Sequence, residues 1–205
     1  RMDHSTLEKH GEGIIAINGH LGSSIAYHLC KFVESGNDEH WQGAIDEANW
    51  HKKVFSQNKN GEPCFYIELQ RHGVKEQLAI NPHLIKLARE LDLPLVCDND
   101  AHYLMENDWD SHDTLCCISM QRTKDDRDRL MYSRDLYVKS PEQMCELFED
   151  IPESFENTVA IANRCNVELD DTNSHAPVVR ITGPSTVEPF TSGDITEWFK
   201  KHCRK

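Results

Sequence analysis

The chain has 205 residues, of which 38 % are hydrophobic and 28 % charged, a composition that predicts a globular fold. Acidic residues number 35 and basic residues 22, for a net charge of -13. Such a surface repels phosphate backbones, which argues against tight DNA binding by this chain alone. No apolar run approaches the roughly 20 residues that span a bilayer, and the first residues carry no signal-peptide pattern.

The eight cysteines form no C-x-x-C pair, so a structural zinc knuckle is not expected. Several sit in apolar runs, as Cys97 does in PLVCD and Cys116 and Cys117 do in TLCCI. They read as reduced, buried thiols of a cytoplasmic protein. The opening RMDHSTLEKHGEG shows no obvious folding unit, and WFKKHCRK reads as an unfinished helix. Both ends are expected to be cuts in a longer protein.

In chain order, IIAIN at 14–18 predicts a buried strand. A helix follows over about 24–34, capped by Ser23 or Ser24. Residues 38–55 place Trp41, Ala44, Ile45, Ala48 and Phe55 at helical spacing, and SQNKNGEP is a loop. CFYIEL at 64–69 is a second strand. Asn81-Pro82 predicts a fresh helix start, with Asn at the cap and Pro at the first turn. PLVCD at 94–98 is a third strand, and a helix is expected near 108–119. Strand and helix alternate three times, which favours parallel strands with crossover helices, about half of a barrel. A half barrel would leave strand edges open to dimerisation or aggregation.

The pattern then changes. DDRDRLMYS is a charged loop and LYVK a short strand. SPEQMCELFED is a helix capped by Ser140 with Pro141 in its first turn. IPESFENTVAIANRC is another, with Phe155, Val159, Ile161 and Ala162 on its apolar side. Residues 171–205 read as a linker leading into a further region.

In parallel α/β barrels, reactive groups gather at the C-terminal strand ends. His20 follows the first strand, Gln70 and His72 the second, and Asp98, Asp100 and His102 the third. Asp100-Ala101-His102 is the sharpest element. Residues two apart in an extended segment point the same way, so a carboxylate and an imidazole could share one ion. Oxygen and nitrogen donors suit Zn²⁺, Mn²⁺ or Fe²⁺. D-x-H alone is weak, and a solvated turn is the alternative. His20 and His72 have a plain loop or turn reading beside the functional one. Glu68 faces either the interior or solvent. His112 and Asp113 read as a solvated helix face, and Asp125, Asp126 and Asp128 as a solvated loop. No phosphate loop and no nucleophile elbow is present.

LPLVCDNDAHYL resembles the last metal-binding motif of the PHP (polymerase-and-histidinol-phosphatase) domains of bacterial DNA polymerase III alpha subunits. EGIIAINGHLGSSIA resembles that family's strand and its Ser-Gly-Cys-Leu-Gly turn. FYIELQRHGVKEQ resembles its Glu-Leu-Gln-x-His-Gly segment. KSPEQMCELFEDIPESFENTVAIANRCNVEL resembles the stretch that follows the PHP motifs. The likeness runs from about residue 7 to 170.

It implies an α/β fold, part of a distorted (β/α)₇ barrel followed by a helical segment. Residues 1–125 would be the C-terminal part of the barrel, 126–170 its closing segment with two helices, and 171–205 a linker and the start of the polymerase region. It implies a divalent metal, Zn or Mn, with Asp100, His102 and His20 as ligands. The family often has Cys at the position of His20. The opening His-x-His motif would lie upstream and the palm carboxylates downstream. The parent would be a cytoplasmic, Mg-dependent DNA-directed DNA polymerase working with DNA, a sliding clamp and a proofreading subunit. The chain itself would be a scaffold, or part of a metal-dependent 3′–5′ exonuclease site, and inactive alone. A stand-alone PHP phosphoesterase and a non-catalytic interaction module are the other two readings. The stretch 140–169 separates the first from the second, because its likeness is to alpha subunits in particular.

Overall fold

The computed structural model describes residues 3–169, apart from 57 and 59, together with residue 172. The linker expected at 171–205 therefore lies outside the described residues, save Thr172. Residues Arg1–Cys165 gather into one compact unit and Asn166–Lys205 into another. In the second, the described residues 166–169 are irregular and exposed.

The first unit contains helix α1 (His4–His10), strand β1 (Ala16–Ile17), helices α2 (Ser24–Ser35) and α3 (Asp38–Val54), strand β2 (Phe65–Gln70), helix α4 (Lys75–Glu90) and strand β3 (Leu95–Asp98). Helices α5 (Trp109–Met120), α6 (Pro141–Leu147) and α7 (Pro152–Arg164) follow. The strands form a parallel sheet in the order β1-β2-β3. Mixed α/β architecture with crossover helices thus stands. The three described strands do not make a seven-stranded barrel.

Local chemistry accounts for most element boundaries. The Ser23 hydroxyl accepts the Ala26 N–H at 3.1 Å and starts α2. Gly36 ends it at φ +66°, a left-handed conformation that glycine adopts without a Cβ penalty. Ile25, Ala26 and Leu29 of α2 are buried, as are Ala44 and Ala48 of α3. They join Phe65, Ile67 and Leu69 of β2 and Leu84 and Leu87 of α4 in one core. Strand β2 lies in the middle of the sheet and is buried along its whole length.

Four expectations need correction. The opening segment does hold a folding unit: the Asp3 carboxylate accepts the Thr6 N–H at 2.8 Å and caps α1. Strand β1 is only two residues long and is not buried. Ile14 and Ile17 are each 46 % exposed, because among the described residues β1 pairs with β2 alone. Pro82 does not open a helix but sits inside α4, where it removes one intrahelical bond. Asn81 is not a cap. Its amide donates to the Gln70 carbonyl at 2.8 Å and its oxygen accepts Gln77 Nε2 at 2.9 Å, which ties α4 to the end of β2. Finally, LYVK forms only an isolated parallel bridge, Tyr103 to Tyr137.

The last two helices complete the core. Ser140 and Gln143 make the reciprocal capping box at the start of α6. Phe148 and Ile151, in the turn before α7, are core residues. Phe155 packs on the same core, whereas Val159 is 53 % exposed and Ala162 is also outside. Helix α7 instead meets β3 through Asn157, whose amide donates to the Leu95 carbonyl at 2.7 Å. That bond satisfies part of the outer edge of β3.

Candidate functional site

The C-terminal ends of β2 and β3 carry a buried polar network. Glu68 and Gln70 lie two apart on β2 and share a face. Gln70 is in register with Asp98 of β3. Its Nε2 donates to Glu68 Oε1 and to Asp98 Oδ1, both at 2.9 Å. Its Oε1 lies 2.8 Å from His72 Nε2. An amide oxygen only accepts, so His72 carries its proton on Nε2. His72 Nδ1 is buried without a hydrogen-bond partner, and the buried Glu68 Oε2 has none but Asp98, toward which it donates when protonated. Burial, then a hydrogen bond and repulsion from Asp98, push the Glu68 carboxyl up to about 9. Burial also depresses His72 below the ordinary imidazole range.

The turn after β3 is held from both sides. Asp98 Oδ1 accepts the Asp100 N–H at 3.2 Å. Asn99 Nδ2 donates to the carbonyls of Asp135 and Tyr137 at 2.7 and 2.8 Å, and the His102 N–H donates to Leu136 at 2.8 Å. Asp100 has φ +46°, so the extended backbone assumed for the D-x-H pair is absent at its first residue. The side chains still meet: His102 Nδ1 lies 3.9 Å from Asp100 Oδ2 and 2.7 Å from the Asp100 carbonyl oxygen. The rings of Tyr132 and His112 flank His102, with centroids 4.5 and 5.7 Å away. Asn99→Ala should cost about 1–3 kcal/mol by removing both bonds, which leaves the Tyr137 carbonyl without its donor while Lys139 still serves that of Asp135. Hydrogen exchange at the His102 amide should then rise before that of β2; unchanged protection would refute the clamp.

His20 stands apart. It is exposed in the turn after β1, and its Nδ1 accepts the Gly22 N–H at 3.0 Å. Among the described residues it shares no hydrogen bond, ion pair or ring contact with Asp100 or His102. Nor does any group of three or more His, Cys, Asp or Glu there have a metal-holding arrangement. Two residues assigned to a solvated face are not fully solvated. Asp113 is buried and accepts both guanidinium nitrogens of Arg129, which hold its carboxyl below the usual range. His112 sits among Tyr103, Tyr132 and His102. The described cysteines are all free thiols, several of them buried as expected. A cleft of about 690 Å³ lies at the opposite end of the strands, lined by Ile14, Ile15 and Cys64, away from this chemistry.

No protein-family model matches the chain. Across its whole length it is 37 % identical to DNA polymerase III subunit alpha of Campylobacter jejuni. Over 81 % of its length it is 40 % identical to the Borreliella burgdorferi subunit of that name, and over 83 % it is 38 % identical to that of Helicobacter pylori. The chain is homologous to a segment of the DNA polymerase III alpha subunit. It spans 18 %, 13 % and 14 % of those relatives, respectively. Among the described residues, no helix is long and apolar enough to cross a membrane.

Two features of the chain can serve a ligand. The Asp100–His102 turn presents a carboxylate and an imidazole at the edge of the protein, with side chains 41 % and 27 % exposed. Behind it, Glu68 and Asp98 concentrate further carboxyl groups around Gln70. Oxygen and nitrogen donors backed by negative charge suit a hard or borderline divalent cation.

Proposed function

We propose that this chain is part of the PHP domain of a replicative DNA polymerase alpha subunit, and that it contributes Asp100 and His102 to a divalent-cation site. The observation that carries this reading is the Asp100–His102 turn at the end of β3, in a chain whose relatives are alpha subunits. The donor set fits Zn²⁺ or Mn²⁺. His102 Nδ1 is engaged by a carbonyl, which leaves Nε2 to coordinate, and the buried Glu68 beside Asp98 adds to a carboxyl cluster that a cation would relieve. His20, with Nδ1 already engaged by Gly22, does not fit as a third ligand in this conformation. A cation there would supply Lewis-acid chemistry for phosphodiester hydrolysis. The chain's own residues would hold and orient it, Asp100 by its carboxylate and His102 by Nε2.

Other parts of the parent would supply the remaining ligands, the Mg-dependent polymerase centre and the cationic surface for DNA. Contacts with a sliding clamp and a proofreading subunit would likewise belong to the whole cytoplasmic protein. In a full-length alpha subunit carrying this segment, Asp100→Asn with His102→Ala should lower bound Zn or Mn, measured by elemental analysis. Primer extension should persist. Unchanged metal content would defeat the assignment. The 205-residue chain alone should neither extend a primer nor release nucleotides.

A further inference from the structure

We infer that His20 and His102 are held as opposite neutral tautomers, so that their Nε2 atoms offer opposite chemistry: an electron pair at His102 and an N–H donor at His20. The partners dictate this. The Asp100 carbonyl oxygen has no proton to give, so His102 Nδ1, 2.7 Å away, must carry the hydrogen. The Gly22 backbone N–H has no lone pair to offer, so His20 Nδ1, 3.0 Å away, must lack it. Each neutral imidazole has one proton, which leaves His102 Nε2 bare and His20 Nε2 protonated.

Both turns are built around these rings. A Cβ on Gly22 would lie 2.8 Å from His20 Cε1, so only glycine at this position admits the ring where it stands. The Ser23 N–H closes the same turn on the His20 carbonyl at 2.9 Å. On the other side, Asp98 and Asn99 fix the backbone that presents the Asp100 carbonyl.

His20 can therefore ligate a cation through Nε2 only by giving up the Gly22 bond and exchanging tautomers. As it stands, its Nε2–H is free to donate to an oxygen acceptor of a ligand, such as a phosphate or carboxylate oxygen. The ligand role of His102 rests on the cation reading above, whereas the tautomers do not.

The test is ¹⁵N imidazole spectroscopy of the 205-residue chain at mildly alkaline pH, where free imidazole is neutral. His20→Gln and His102→Gln assign the two rings. The expected result is a protonated Nδ1 with bare Nε2 at His102, and the reverse at His20. In Gly22→Ala, His20 should lose its preference while His102 keeps its own. The same tautomer at both rings would overturn the inference, as would retention of the His20 preference in Gly22→Ala. A Zn²⁺ titration then separates the two claims. A shift confined to His102 Nε2 supports both. Opposite tautomers with neither ring responding to Zn²⁺ support the inference and count against the cation site. A Zn²⁺ shift at His20 Nε2 overturns the donor role.

Discussion

Phe148→Ala should lower the unfolding free energy by about 3–5 kcal/mol, the usual cost of truncating a fully buried aromatic side chain. Phe148 is 0 % exposed and belongs to the core that β2 and α4 share. It also carries Arg71, whose guanidinium lies 4.8 Å from the ring centroid. Arg71 in turn donates to the Leu147 carbonyl at 2.7 Å and to both oxygens of Asp150 at 2.5 and 2.8 Å. Removing the ring would open a cavity and free the stem of the residue that pins this turn to the end of β2. Urea unfolding gives the comparison. Val159→Ala, on the exposed side of α7, should stay within about 0.5 kcal/mol. A Phe148→Ala cost that small would mean that the segment after α5 is an appendage to the core.

What could be read from the sequence follows from how local each cause is. Strands β2 and β3 are short apolar runs between turn residues, and α2 and α6 carry their own caps in Ser23 and Ser140. These signals lie within a few residues of what they specify. The errors have distant causes. IIAIN looks like a buried strand, but among the described residues β1 pairs on one side only, and no local feature says so. Asn81-Pro82 looks like a cap because its real partners, Gln70 and Gln77, are a strand end and the preceding helical turn. Asp113 looks solvated because Arg129 arrives from the loop after α5.

The site divides the same way. Position after β3 is enough to place Asp100 and His102 together at a strand end, where their side chains lie 3.9 Å apart. The tautomers were not legible, since they depend on which backbone atoms face Nδ1. The burial of Glu68 was also open, because strand alternation leaves two faces and only the sheet's surroundings choose between them.

Glu68 has the largest consequence for pH. Its folded-state carboxyl is raised to about 9 from an ordinary 4.5. Between those values the unfolded chain has released the proton and the folded chain keeps it. Stability must therefore fall as pH rises through this window, by up to about 1.4 kcal/mol per pH unit for one proton. His72 acts at the other end. Its folded value is depressed from 6.5, so its contribution is lost as pH falls below that range. The interval for Glu68 clear of His72 is thus about pH 7–9, where its loss should reach about 2–3 kcal/mol, with buried thiols such as Cys97 adding a smaller decline only toward its upper end.

Glu68→Gln mimics the protonated acid. Its amide oxygen can still accept Gln70 Nε2, and its amide nitrogen can donate toward Asp98 in place of the acid proton. The variant should unfold at nearly constant denaturant concentration from pH 7 to 9, while the unsubstituted chain declines. Parallel curves would mean that Glu68 is ionised in the folded state. A divalent cation bound beside Glu68 and Asp98 would neutralise the repulsion that raises the carboxyl. Added Zn²⁺ or Mn²⁺ should then flatten the decline of the unsubstituted chain, whereas Glu68→Gln, which keeps Asp100 and His102, should gain stability with no change in its pH slope. Stability alone would thus report whether the strand ends hold a cation.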